Sequence, residues 1–133
     1  MDVRYAPPAL LALDDVVLEP AVRSARCGER LIPLTPIEFR ILRVMVRSVG
    51  QIVARTVLCR RALGRSVQSS GRSLDTHVCN LRKKLGPTPD GAARIQAVQG
   101  AGYIYRSRCF SYTETIPAHN HDRLSQRESP APF

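Results

Sequence analysis

The chain has 133 residues, 44% of them hydrophobic, and a formal net charge of +9. That length holds one domain with a modest core, and the apolar content excludes a wholly disordered protein. No apolar run approaches bilayer-spanning length and no hydrophobic signal core opens the chain, so membrane insertion and export are not expected.

The charge is unevenly spread. Residues 1–20 hold one Arg against four acids, residues 21–110 hold 17 Lys or Arg against four acids, and residues 111–133 hold two Arg against three acids. The cationic excess sits in the part that must fold, which points to a polyanion as partner. The four cysteines, at 27, 59, 79 and 109, form no C-x-x-C pair, and no histidine stands at helical spacing from any of them. Neither a zinc cluster nor a disulfide framework is expected, and reduced thiols in a cytoplasmic protein are the plain reading.

From Leu10 to Leu34 the text falls into short pieces, LLAL, VVLEP, RSAR and RLIPL, separated by Asp14-Asp15, Pro20 and Gly28-Glu29. Short runs between turn residues predict an antiparallel sheet of three or four strands. Pro33 places the last at an edge or a strand end. LTPIEFRILRVMVRSVG then carries a strong helix start, with Thr35 as N-cap, Pro36 at the first helical position and Glu38 completing a capping box. Gly50 ends it. Its apolar residues cover most directions, while Arg40, Arg43 and Arg47 share one strip that reads as a solvated edge.

QIV at 51–53 reads as an extended link, and a second helix runs from about Ala54 to Leu63. GRSVQSSG, residues 64–71, reads as a loop. RSLDTHVCNLRKKLG, residues 72–86, gives a third helix closed by Gly86-Pro87. Its Leu74, Val78, Leu81 and Leu85 recur at i, i+4, i+7 and i+11 and form one stripe. Arg72, Thr76, Cys79, Asn80 and Lys83 occupy the opposite direction. RIQAVQGAGYIYRSR follows as strand, glycine turn and strand, a hairpin by every local signal. The expected division is a linker-like stretch over 1–9, a domain over 10–108 and a disordered tail over 109–133.

A small sheet, three helices and a terminal hairpin, with the third helix basic on its free face, is the winged helix-turn-helix plan of the α+β class. In that plan the third helix enters the major groove of double-stranded DNA, and the hairpin lies on the backbone or in the minor groove. The stretch from about Leu10 to Arg106 resembles the DNA-binding effector domain of OmpR/PhoB-type response regulators through LTPIEFRIL, GQIVARTVL, GRSLDTHVCNLRKKLG and IQAVQGAGYIY. Its H-x-x-N-L-R-x-K-L run is similar to the CpxR-like branch. The resemblance implies a four-stranded N-terminal sheet, a head-to-tail dimer on promoter direct repeats and contact with RNA polymerase. The receiver domain of such regulators has no counterpart before Leu10, so either an excised C-terminal half or a short protein without phosphorylation control is expected.

Arg72 and Ser73, at the start of the third helix, are expected to hold a phosphate with its free N–H groups. Asn80 suits adenine, and Thr76 suits a thymine methyl or a phosphate. Lys83 and Lys84 read as phosphate contacts, and His77 as a phosphate donor or a half-buried packing residue. Arg82, on the flank, is assigned to DNA by the resemblance, and Asp75 is assigned a structural pairing with an arginine or the helix start. In the wing, Gly100 and Gly102 permit the tight hairpin. Tyr103 is expected to turn its hydroxyl toward a phosphate, and Gln99 stands where many relatives have an arginine, so a smaller minor-groove contribution follows. The alternative function is a protein-interaction module docking on polymerase or another acidic partner through loop 64–71. RNA binding lacks the aromatic platform that single strands need. No catalytic set, cofactor loop or third ligand beside His119-Asn120-His121 is present, so neither an enzyme nor a metal site is expected.

Overall fold

The computed structural model describes residues 10–64, 67–107 and 111–115, the side chains of 67–72 and 115 excepted. Strands β1 (Leu10–Leu13), β2 (Val16–Glu19), β3 (Ser24–Cys27) and β4 (Arg30–Pro33) form an antiparallel meander. Alternation places Leu11, Leu18, Ala25 and Ile32 in one ladder row. All four are at most 2% exposed, because a period of two sends every second side chain to the core. Asp14 and Gly28 take positive φ, 55° and 65°, at the β1–β2 and β3–β4 turns. Pro33 closes edge strand β4, where its missing N–H costs no ladder bond.

The sheet has five strands rather than the expected four. Strand β8 (Thr113–Thr115), within the stretch read from sequence as tail, pairs antiparallel with β1 and gives the order β4-β3-β2-β1-β8. The segment has no hydrophobic period to announce it. Its seat is the open edge of β1 and an ion pair of 2.7 Å from Arg47 to Glu114.

Helix α1 (Pro36–Arg47) begins as its sequence predicts. The Glu38 amide donates to Thr35 Oγ1 at 3.1 Å, and the Thr35 amide donates to Glu38 Oε1 at 3.0 Å. Phe39, Ile41, Leu42, Met45 and Val46 are buried on it. The arginine strip is less free than a solvated edge: Arg40 donates to the Ala62 carbonyl, Arg43 stacks over Phe39, and Arg47 holds Glu114.

Within the extended link expected at 51–53, Ile52 and Val53 form strand β5 (Ile52–Ala54) together with Ala54, where the second helix was expected to begin. Helix α2 (Arg55–Leu58) continues as a π-helical turn, Cys59–Leu63. Helix α3 spans Val67–Leu85, so most of the expected loop 64–71 is helical backbone. Ser and Gly are weak helix formers and masked this start. Once the firmly packed 74–85 segment is helical, each further residue is added at small cost. Leu74, Val78, Leu81 and Leu85 are all at most 1% exposed. The hairpin β6 (Ile95–Val98) and β7 (Gly102–Tyr105) joins β5 in a second sheet, ordered β5-β7-β6.

Candidate nucleic-acid interface

With the apolar stripe of α3 in the core, its opposite side faces outward. Ser73, Thr76, Cys79, Asn80, Arg82 and Lys83 are exposed, and His77 is half-buried. The Arg72 side chain lies outside the described residues. Because α3 starts at Val67, the Arg72 and Ser73 amides lie inside the helix and donate to its own carbonyls. The expected phosphate cradle of free N–H groups at 72–73 is therefore not there.

Both flanks of α3 are pinned. On one, Asp75 accepts from Arg55 Nη1 at 2.5 Å and Nη2 at 3.2 Å, and from the Tyr103 hydroxyl at 2.7 Å. This ties α3 to the start of α2 and to the wing strand β7. The Tyr103 hydroxyl is thus committed within the fold instead of aimed at a phosphate, and Tyr103 is 7% exposed. The Arg55 guanidinium, and after it the Tyr103 hydroxyl, hold the Asp75 carboxyl below its ordinary value against the opposing effect of burial. Burial, reinforced by Asp75, pushes the Tyr103 phenol up.

On the other flank, Lys84 Nζ lies 2.7 Å from Glu38 Oε1, and Glu38 is 2% exposed. Lys84 was expected at a phosphate; its neighbour Glu38 draws it to α1, since a buried carboxylate needs a cation. Lys84→Ala is expected to lower unfolding stability by about 2 kcal/mol, measured by denaturant titration. An exposed phosphate-facing lysine would show almost no loss.

The C-terminal end of α3 is held by cations that complement its dipole and unfilled carbonyls. Arg30 of β4 donates to the Lys84 and Leu85 carbonyls at 3.2 and 3.0 Å. Arg94, 4% exposed, donates to the Gly86 and Pro87 carbonyls at 3.2 and 3.0 Å and to both Asp15 oxygens at 2.9 and 3.0 Å. Arg30, Arg94, Asp15 and Glu38 therefore position the helix. Of these only Glu38 carried a local signal, as a cap.

In the wing, Gln99, Gly100 and Ala101 form an exposed tip between β6 and β7. The helix face and this tip remain the outward-facing polar surface that the sequence places together. Among the described residues no three His, Cys, Asp or Glu side chains converge on a metal-sized site, and His119 and His121 lie outside them. No described helix is long and apolar enough to cross a membrane.

A sheet, three helices with a pinned third and a β-hairpin define a winged helix-turn-helix domain. The chain belongs to the OmpR/PhoB-type C-terminal domain family of transcriptional regulators, and its residues 28–105 match the family described as transcriptional regulatory protein, C terminal. That family is regulatory, not enzymatic. The chain is 33% identical over 94 residues to the transcriptional regulatory protein CpxR of Escherichia coli K12, which covers 71% of this chain and 40% of CpxR. It is 30% identical over 102 residues to the response regulator MprA of Mycobacterium leprae, covering 76% of this chain and 44% of MprA. The chain thus spans less than half the length of these relatives. Among solved structures, the DNA-binding domain of E. coli CpxR superposes with a TM-score of 0.69 at 31% identity, covering 75% of this chain and 98% of that domain. The Klebsiella pneumoniae RstA DNA-binding domain, solved in complex with the RstA box, gives 0.64 at 26% identity, covering 73% and 96%.

Proposed function

We propose that this domain binds double-stranded DNA sequence-specifically and regulates transcription, with α3 in the major groove and the wing tip on the backbone or minor groove. One observation carries the proposal: α3 is anchored by its buried stripe, its two flanks and its C-terminal end, while Thr76, Asn80 and Lys83 stay outward. A rigid helix with an amide, a threonine and cations on its outward side meets the demands of groove reading. The RstA domain, solved with the RstA box, supports the reading by likeness. In this proposal Asn80 reads a base edge, and Thr76 touches a methyl or phosphate. Lys83 and Arg82 contact phosphates, as does Arg72, with Ser73 and His77 at the rim. Gln99 approaches the minor groove without charge. Cytoplasmic placement, service as the effector of a two-component system, head-to-tail pairing on direct repeats and contact with RNA polymerase belong to the same proposal.

The test is selection of bound duplexes from a random pool, followed by equilibrium titration of variants. Affinity is expected to fall steeply with salt as counterions are released. Asn80→Ala is expected to lose about 1–3 kcal/mol of discrimination at one position. Lys83→Ala should instead weaken all duplexes alike and lower the salt slope by about one. Equal losses on selected and random duplex for Asn80→Ala would remove Asn80 from base reading.

A further inference from the structure

The Arg55–Asp75–Tyr103 cluster joins three elements that a DNA reader must hold in one geometry. Asp75 immediately precedes Thr76 on α3. Tyr103 lies on β7, which follows directly from the wing tip at 99–101, and Arg55 opens α2. The carboxylate takes two donors from one guanidinium and a third from the phenol. This fork fixes direction as well as distance. Its contribution to stability is small, because the Arg55 and Asp75 side chains are 36% and 49% exposed. A contact of low energetic value but high directional value is a positioning device. The opposite flank, pinned through Lys84 to a 2%-exposed Glu38, anchors the helix to α1 and says nothing to the wing. The Asp75 side couples the middle of the helix to the wing strand β7.

We infer that Asp75 is a positioning residue for sequence discrimination: by gripping Tyr103 and Arg55 it sets the angle between the reading face of α3 and the wing tip, so that Thr76 and Asn80 are seated in the major groove while Gln99 approaches the minor groove. This inference rests on the DNA reading above. It assigns Asp75 no contact with DNA. Its carboxylate acts through Tyr103 and Arg55, and releasing it removes none of the proposed DNA-contacting side chains but frees the angle between them.

The test compares wild type, Tyr103→Phe, Asp75→Asn and the double variant on a selected duplex, a single-base variant of it and a random duplex, with thermal melts in parallel. Tyr103→Phe removes one oxygen and no charge, so it is the cleaner probe, and it carries the test should Asp75→Asn fold poorly. Each single variant is expected to lower the selected-to-variant affinity ratio about tenfold. The double variant should fall little further, since both remove the same grip. Affinity of Tyr103→Phe for random duplex at low salt should stay within about threefold of wild type, because phosphate contacts persist. Wild-type discrimination in both single variants overturns the inference alone. Parallel loss on all three duplexes also overturns it, since that marks a merely structural contact. A wild-type chain that prefers no duplex overturns the DNA reading itself.

Discussion

Gly102→Ala is expected to be the most damaging single-methyl change in this domain, lowering unfolding stability by roughly 3–4 kcal/mol. Gly102 holds φ at +151°, and a Cβ there would be driven into the Val53 carbonyl, 2.9 Å from its carbon and 3.0 Å from Ala54 Cα. These are backbone atoms of β5, which pairs with β7 at Ala54 and Gly102. No side chain can swing aside, so either the β5–β7 ladder parts or the wing shifts. Gly100 is the internal comparison. Its φ is +78° with nothing within 4 Å of an added Cβ, so Gly100→Ala carries only the conformational strain of about 1 kcal/mol. Denaturant titration of both variants decides the matter. Equal losses would mean that turn conformation, and not the close approach of β5, governs this site.

Asp15→Asn is expected to cost about 3 kcal/mol. Arg94 is buried and its guanidinium meets both Asp15 oxygens; an asparagine keeps one acceptor and turns an N–H₂ toward a donor. The Gly86 and Pro87 carbonyls still accept from Arg94, which keeps the loss below that of a fully orphaned charge. The same pair gives a pH dependence. The hydrogen bonds from Arg94 hold the Asp15 carboxyl below its ordinary value near 3.8, with burial opposing. The folded chain therefore binds that proton less readily than the unfolded chain. The stabilisation is complete above the ordinary carboxylate range and drains away as pH falls through the lowered value. Melting curves of wild type and Asp15→Asn should lie well apart at neutral pH and converge in strong acid. A gap that persists unchanged to the acid limit would show that the ion pair is not its source.

These two sites also show where sequence stops being informative. The capping box of Thr35 and Glu38, the stripe of Leu74, Val78, Leu81 and Leu85, and the hairpin around Gly100 are local patterns, and each is realised in the fold. Local patterns are legible because the interacting residues are a helical turn or a strand spacing apart. Arg94 and Asp15 are separated by 79 positions, and no periodicity relates them. Lys84 and Tyr103 read as outward cation and outward hydroxyl for the same reason: Glu38 and Asp75, which claim them, arrive from elements far along the chain. The start of α3 and the strand β8 were hidden differently. Residues 69–71 are weak helix formers and residues 113–115 carry no apolar alternation, so their conformations are imposed by neighbours already in place. The outward face of Thr76, Cys79, Asn80 and Lys83 was legible because a face is defined by its opposite, and the opposite is four buried aliphatic side chains.

Strand β8 has a topological consequence. Leu10 and Thr115 stand opposite one another across the β1–β8 ladder, so the two outer ends of the described fold are about 5 Å apart. A graft attached to one end is anchored at the same corner as a graft attached to the other. The described fold is nearly a closed ring, and a few residues linking Thr115 directly to Leu10 would join its ends without disturbing a ladder, leaving fresh ends to be opened at the Pro89–Gly91 turn.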